Sequence, residues 1–223
     1  MLRSLMMLIL CASMSFSVPA RAELDQSLNS FDEPYIVGDW IWRAPDNQAI
    51  PLGEFSYRMM SIRFDSKNHF IFVLQRDDGN HDVWQGRYDI TSEYLTLYPQ
   101  GDQPQMLQFQ LSQNQFVMGN VMFSKLPPAE LLGAWRSAEI TGSDVTSHLH
   151  SFEVNFLPDF QFEAQSVGKD GKLQTNRGLY IYENHEVVLF YPNGRQSLNI
   201  SQQNNELILN DNLFDSHIEL VKR

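Results

Sequence analysis

The sequence has few basic residues, a single cysteine and no long apolar run beyond its first segment. Of its 223 residues, 16 are Lys or Arg and 27 are Asp or Glu, so the formal net charge is -11. Binding to nucleic-acid phosphates or to anionic lipid surfaces needs clustered Lys and Arg. This shortage of cations argues against both kinds of partner.

The only cysteine, Cys11, lies within the N-terminal segment Met1–Ala22. Without that segment the chain carries 14 basic and 27 acidic side chains, a net charge of -13 and no thiol. Such a chain forms no internal disulfide, no Cys metal site and no Cys nucleophile. It also contains no apolar stretch of about 18 residues, the length that a membrane-spanning helix needs. We therefore predict no transmembrane segment after Ala22.

The segment Met1–Ala22 resembles a bacterial export signal. Arg3 supplies a basic start, residues 5–16 form an apolar core, and residues 20–22 form an A-x-A cleavage motif. We predict a signal peptide that is cleaved between Ala22 and Glu23. The protein is then expected to be soluble and periplasmic or secreted.

Lipidation at Cys11 is the alternative reading of this segment. Bacterial lipoprotein signals usually place a small residue directly before the cysteine, and Leu10 is not small. Cleavage before Glu23 is therefore the preferred prediction.

The rest of the sequence alternates between polar and apolar residues with the period of a β-strand. Residues 61–64, 94–97, 107–111 and 152–156 each place apolar side chains on one face. Turn sequences such as Asp-Asp-Gly-Asn at residues 77–80 separate these segments at short intervals. No amphipathic helix of three turns is present. These patterns predict an all-β protein built from antiparallel hairpins.

The sequence also repeats itself after 92 to 95 residues. Five ordered matches support the repeat: Gly38-Asp39-Trp40 with Gly133-Ala134-Trp135, Phe64 and Phe70 with Phe156 and Phe162, Asp78-Gly79 with Asp170-Gly171, Gly86-Arg87-Tyr88 with Gly178-Leu179-Tyr180, and Tyr98-Pro99-Gln100-Gly101 with Tyr191-Pro192-Asn193-Gly194. Repeats of this kind indicate copies of one structural unit. We predict that Trp40 is equivalent to Trp135, and Tyr98 to Tyr191.

The repeat defines the predicted domain organisation. A flexible leader follows the signal peptide, and a short linker separates two modules. The predicted segments are the signal peptide at 1–22, the leader at 23–36, module 1 at 37–126, the linker at 127–131 and module 2 at 132–223.

The G-x-W motif at Trp40 and Trp135, followed by Asp-Gly and Pro-x-Gly turns, resembles the short lipocalin-like modules of secreted bacterial proteins. The resemblance covers both halves of the chain. It implies two tandem antiparallel meander barrels or sandwiches, in which each of these Trp residues closes the floor. The chain lacks the T-D-Y motif of full lipocalins, and each module has only about 90 residues. We therefore expect six or seven short strands in each module, filled by their own side chains.

Two further Trp residues belong to one copy of the repeat. Trp42 and Trp84 occupy positions where module 2 has Ser137 and Asn176, so the module does not require either indole. Trp is enriched where binding energy concentrates, and we predict Trp42 and Trp84 as the ligand-binding residues. The alternative is that both extend an uneven core, which needs no ligand.

Metal-binding and catalytic motifs find little support. His148 and His150 form an H-x-H pair, which on a regular strand would point both imidazoles to one side at about 7 Å. Nothing in the sequence brings Glu153, His185 or His217 to that pair, so we predict no metal site. The motifs G-x-S-x-G and H-E-x-x-H and a glycine-rich phosphate loop are all missing. We predict no catalytic residue, no cofactor and no enzymatic activity.

The predicted function is that of an exported binding protein for a small apolar or aromatic ligand. The ligand is expected around Trp42 and Trp84 or at the junction near Pro127. The alternative is a periplasmic accessory or inhibitory protein that binds another protein through a strand edge or an acidic face. A connected cavity of several hundred Å³ would favour the first function, and filled cores with an exposed apolar patch would favour the second.

Overall fold

The structure of the protein is a computed structural model that describes residues 33–45, 49–52, 54–203, 206–211 and 215–223. The predicted signal peptide and most of the predicted leader lie outside the described residues. Within these ranges the chain forms two compact units, and the division falls between Leu126 and Pro127. No helix in the described part of the chain is long and apolar enough to cross a membrane.

The first unit is a closed antiparallel barrel, called barrel 1. A 3-10 turn at Pro34–Ile36 leads into it. Its strands are β1 (Gly38–Arg43), β2 (Ile50–Leu52), β3 (Phe55–Phe64), β4 (His69–Arg76), β5 (His81–Ile90), β6 (Tyr94–Pro99), β7 (Gln105–Leu111), β8 (Gln115–Met118) and β9 (Val121–Lys125). Strand β1 pairs with both β3 and β9, which closes eight strands into a ring. Strand β2 pairs only with β3 and lies outside that ring.

The second unit is also a closed antiparallel barrel, called barrel 2. Its strands are β10 (Gly133–Thr141), β11 (Leu149–Phe156), β12 (Gln161–Gly168), β13 (Leu173–Glu183), β14 (Glu186–Tyr191), β15 (Gly194–Gln203), β16 (Glu206–Asp211) and β17 (His217–Lys222). A four-residue helix, α1 (Ser143–Thr146), connects β10 to β11. The prediction of an all-β fold with antiparallel barrels is confirmed.

The prediction of six or seven strands per module is wrong, because each ring contains eight strands. Short connections explain how about 90 residues suffice. Strand β5 is followed by β6 after three residues, and β13 by β14 after two. Most of the module is therefore available for strands. A ring of eight strands has an interior that side chains or one small ligand can occupy.

The floor of each barrel is closed by the tryptophan of its G-x-W motif. The indole Nε1 of Trp40 donates a hydrogen bond of 2.7 Å to the carbonyl oxygen of Ile36. The Nε1 of Trp135 donates in the same way to Leu131, also at 2.7 Å. Both indoles are almost completely buried. The buried indole thus satisfies its one polar group on the segment that enters the barrel.

A lysine from the last strand lies over each of these indoles. The Nζ of Lys125 is 5.0 Å from the ring centre of Trp40 and donates a 2.8 Å hydrogen bond to the Tyr35 carbonyl oxygen. The Nζ of Lys222 is 5.3 Å from the ring centre of Trp135. Lys222 is exposed, whereas Lys125 is buried. Burial lowers the pKa of Lys125 to about 7.

The register of β6 and β14 corrects one predicted equivalence. A Cβ on Gly86 would lie 2.0 Å from the carbonyl oxygen of Tyr98, and one on Gly178 would lie 1.9 Å from that of Phe190. The counterpart of Tyr98 is therefore Phe190, and its predicted match with Tyr191 is wrong by one position. The shared Tyr-Pro-x-Gly motif marks the turn and not the register. A slip of one residue moves a side chain to the other face of the sheet.

The floor contacts predict that Trp135→Ala destabilises the protein by about 3–5 kcal/mol, the usual cost of removing a buried large aromatic side chain. Trp40→Ala should have a comparable effect on barrel 1. Urea unfolding followed by circular dichroism would measure both. A loss below about 1 kcal/mol would contradict the floor role of the indole.

The burial of Lys125 predicts a pH dependence of stability. The unfolded chain, in which this amine has its ordinary pKa of 10.5, binds more protons than the folded chain at pH values above about 7. The free energy of unfolding should therefore rise with pH between about pH 7 and pH 10.

The variant Lys125→Met should flatten this rise. Lys222→Met, at the exposed equivalent position, is the matched control and should leave the rise intact. Urea unfolding curves at several pH values would decide, and an unchanged slope in Lys125→Met would contradict the prediction.

Candidate functional site

The mouth of each barrel is its open end, opposite the tryptophan floor. Alternation along the strands turns every second side chain toward the interior. In barrel 1, two interior layers on β3, β4 and β5 lie between floor and mouth, and paired residues define them: Met60, Leu74 and Asp82 nearer the mouth, and Ile62, Phe72 and Trp84 below. Except for Asp82, all these side chains are buried. Barrel 1 is thus filled toward its mouth.

A polar cluster completes this filling. Arg76 donates two hydrogen bonds to the carboxylate of Asp82, one of them from Nε at 2.7 Å. The hydroxyl of Tyr57 donates to the same carboxylate at 2.9 Å, and the Arg76 guanidinium lies 3.6 Å from the ring centre of Phe55. The hydrogen bonds from Arg76 lower the pKa of Asp82, and burial raises the pKa of Tyr57 to about 12. The charged pair is therefore held ionised in a well-bonded cluster.

Barrel 2 has smaller or more polar residues at most of these positions. Its equivalent layers, 92 residues later, are Phe152, Ser166 and Gln174 nearer the mouth, and Val154, Ala164 and Asn176 below. The Tyr57 and Arg76 positions are taken by Leu149 and Gly168, which also pair with each other. Gln174 and Asn176 are exposed although they lie on the interior face. The interior of barrel 2 is therefore open to solvent at its mouth.

A cavity of about 690 Å³ occupies this opening. Its wall consists of residues from the ends of β11, β12 and β13 and from the adjoining turns: Ser147, His148, Leu149, Ser166, Gly168, Lys169, Asp170, Lys172 and Gln174. The volume falls within the range of about 300–1,000 Å³ that is usual for small-molecule sites. The lining offers two hydroxyl groups, one amide, one imidazole, one carboxylate, two ammonium groups and one apolar side chain.

A hydrogen-bonded chain lies across the same mouth on β14, β15 and β16. The hydroxyl of Tyr191 donates to Gln196 Oε1 at 3.3 Å, and Gln196 Nε2 donates to Asp211 Oδ2 at 2.8 Å. The Tyr191 ring packs edge-on against the core residue Phe162, with ring centres 5.3 Å apart, which fixes its inward orientation. Burial raises the pKa of Tyr191 to about 12, so this hydroxyl remains a hydrogen-bond donor at neutral pH.

The turn between β12 and β13 places charges on the cavity rim. The Nζ of Lys172 lies 2.7 Å from one carboxylate oxygen of Asp170, and the other oxygen accepts a hydrogen bond from the Lys172 backbone amide. The contact with the Lys172 side chain holds the pKa of Asp170 below its usual range. Together with Lys169, the turn carries one net positive charge.

The structure separates the two predicted ligand-binding residues. Trp84 points into barrel 1, where it is 6% exposed and its ring centre lies 6.0 Å from that of Phe72. Trp42 is half-buried on β1 opposite Met60, and β3 and β4 lie between β1 and β5 in the sheet. Their role in ligand binding stays a prediction, and Trp84 offers a ligand very little surface.

The H-x-H pair does not form a regular strand segment. His148 lies in the turn before β11, and a register shift occurs between Leu149 and Ser151, on either side of His150. Only His148 lines the cavity. Within the described ranges, no group of three or more His, Cys, Asp or Glu side chains could hold a metal ion.

The cavity residue Ser166 and the small side chains below it escape the sequence-based prediction, although the repeat contains the signal. At the 92-residue offset, Phe72, Leu74 and Trp84 become Ala164, Ser166 and Asn176. The extra indoles of module 1 predict a binding surface there. In the closed barrel, the loss of volume in module 2 is the more informative difference, because interior volume decides whether a barrel is filled.

Comparisons with solved structures give two similarities. A lipocalin-like protein from Bacteroides uniformis is 19% identical, with a TM-score of 0.33, over 43% of this chain and 100% of that chain. A protein of unknown function from the DUF3598 family of Nostoc punctiforme is 10% identical, with a TM-score of 0.21, over 88% of this chain and 98% of that chain. No family model and no curated protein matches the chain. These similarities carry no argument about function.

Because the two interiors differ, exchanging the residues at one equivalent position should change the stability of the two barrels by different amounts. Trp84→Asn leaves a cavity and a polar group in the interior of barrel 1, and it should destabilise the protein by about 3–5 kcal/mol. Asn176→Trp places the indole in the open mouth of barrel 2 and should change stability by less than about 1 kcal/mol. Thermal unfolding of both variants would measure the contrast. Equal destabilisation would show that the two interiors are packed alike.

Proposed function

We propose that the protein is an exported binding protein whose second barrel takes a small organic ligand into its mouth. The observation that supports this most strongly is the cavity of about 690 Å³ in barrel 2. Its lining residue Ser166 takes the position of the buried Leu74 in barrel 1. The layer below has Ala164 and Asn176 in place of the buried Phe72 and Trp84. The barrel closes with either set of residues, so its closure does not depend on filling the mouth.

The lining favours a ligand that is partly polar. Ser166 and Gln174 offer a hydroxyl and an amide, while Leu149 and the half-buried Phe152 offer apolar surface beside them. Small-molecule sites combine apolar surface with placed polar groups, and in this lining the polar groups predominate. We therefore propose a small amphipathic ligand in place of the small apolar or aromatic one expected from the sequence.

The cellular location belongs to the same proposal. It rests on the basic start, apolar core and A-x-A motif of the segment Met1–Ala22. The ligand would accordingly be a molecule of the periplasm or the exterior. The proposal is of a binding protein and not of an enzyme.

A protein partner stays the alternative prediction. One observation favours it: Ile71 and Val83 are 42% and 57% exposed on the outer face of neighbouring strands of barrel 1. Exposed apolar groups of this kind are common on monomers. The cavity is the more specific feature, and it decides our choice.

The test is to fill the mouth of barrel 2 with the residues of barrel 1. The variant Ser166→Leu, Asn176→Trp should keep its fold and lose the ligand. The matched control is Gln165→Leu, Thr175→Trp, which adds the same side chains to exposed positions on the outer face of the same strands.

Native mass spectrometry of protein purified without denaturant from its own compartment would detect a bound molecule. We expect the adduct on the wild type and the control, and its loss from the filled variant. An adduct that persists on the folded, filled variant would contradict a site in barrel 2.

A further inference from the structure

Each barrel has a hairpin turn at the same place, and the two turns differ in charge. Residues 77–80 connect β4 to β5, and residues 169–172 connect β12 to β13 at the equivalent place. The first turn reads Asp-Asp-Gly-Asn and carries two negative charges. The second reads Lys-Asp-Gly-Lys and carries one net positive charge. The turn at the cavity rim of barrel 2 therefore has a net charge of opposite sign to that of the equivalent turn in barrel 1.

The backbone of the turn is the same in both barrels. Asp78 Oδ1 accepts a hydrogen bond from the backbone amide of Asn80 at 2.9 Å, and Asp170 Oδ1 accepts one from Lys172 at 3.1 Å. The glycine that follows each aspartate has a positive φ, 87° and 78° respectively. The aspartate and the glycine thus serve the turn itself. Because the first turn forms without lysine, the fold does not require the two lysines of the second.

The first residue of each turn also has different neighbours in the two barrels. In barrel 1, Asp77 forms an ion pair with Arg58. The residue equivalent to Arg58 in barrel 2 is His150, which offers Lys169 no carboxylate. Lys172 does contact Asp170, but both side chains are more than half exposed. An exposed pair of this kind contributes little free energy, so the ammonium can turn toward a ligand at little cost.

Both lysines line the cavity. The backbone amide of Lys169 donates a 2.9 Å hydrogen bond to the carbonyl oxygen of His148, which anchors the turn to the cavity wall. Two cations beside a concave site attract anions, and the net charge of -11 on the whole chain makes such a place unusual on this molecule.

Resting on the proposed function, we infer that the ligand of barrel 2 carries an anionic group, which Lys169 and Lys172 bind at the rim of the cavity. The remainder of the ligand lies deeper, against Leu149, Ser166 and Gln174. A carboxylate or a phosphate ester has the required charge and hydrogen-bond acceptors. The turn therefore selects for charge, while the interior selects for size and shape.

A pair of probes that differ mainly in charge tests this inference. They are 4-hydroxybenzoate and its neutral amide, 4-hydroxybenzamide, titrated into the whole protein and followed through backbone amide chemical shifts. We expect both probes to shift the amides of Ser166 and Gln174, and the benzoate to bind about tenfold more tightly at low salt. The preference should shrink in about 0.5 M salt, because exposed charges are screened there.

The variant Lys169→Asp, Lys172→Asn gives the turn the charged and amide residues of barrel 1. It should reduce the preference for 4-hydroxybenzoate to about twofold or less, while 4-hydroxybenzamide binds as before. Lys169→Gln, Lys172→Gln removes the charges without adding a carboxylate and should act in the same direction. Lys67→Asp, in the exposed turn between β3 and β4, is the control for the double Gln variant, because both lower the net charge by two.

Each outcome decides between the two proposals. Equal binding of both probes in the cavity overturns the anion inference and leaves the proposed function standing. A preference for benzoate that survives both lysine variants shows that other groups bind the anion, which also overturns the inference. If neither probe shifts the cavity amides at about 10 mM, a concentration that reveals even weak binding, the proposed function itself fails.

Discussion

An eight-stranded barrel encloses little more space than its own side chains fill, so each interior position is occupied either by the core or by a ligand. This constraint explains the difference between the two halves of the molecule. Phe72 and Trp84 fill barrel 1 at positions where barrel 2 has Ala164 and Asn176. Both rings consist of eight antiparallel strands, and the side chains at these interior positions separate a filled barrel from an open one.

The floor of each barrel allows the residues at the mouth to differ between the two barrels. The indoles of Trp40 and Trp135 are buried and hydrogen-bonded to the segment that enters the barrel. A second tether recurs nearby: Tyr88 on β5 and Tyr180 on β13 each donate a hydrogen bond to a backbone carbonyl, in the β3–β4 turn and the β11–β12 turn respectively. Because these contacts hold the closed end in both copies, the mouth can change its residues without loss of the ring.

The sequence was sufficient for the strands, the repeat and the floor, since alternation and the G-x-W motif report local burial directly. It was insufficient wherever pairing across strands decides the outcome. The matched Tyr-Pro motif makes Tyr191 the predicted counterpart of Tyr98, whereas the strand pairing gives Phe190, because a turn motif does not fix register. The prediction for Trp84 had the same weakness. Whether a surplus indole faces solvent or a barrel interior depends on how the ring closes.

Polar groups inside a barrel are stable only if they are paired or hydrated. Barrel 1 meets this condition by pairing, since Arg76, Asp82 and Tyr57 satisfy one another. Barrel 2 meets it by hydration, since Gln174 and Asn176 are exposed at the mouth. A paired cluster would have to lose its internal bonds before it could bind anything else. Hydrated groups need only exchange water for a ligand, at a small cost in free energy, and for this reason we propose barrel 2 as the binding barrel.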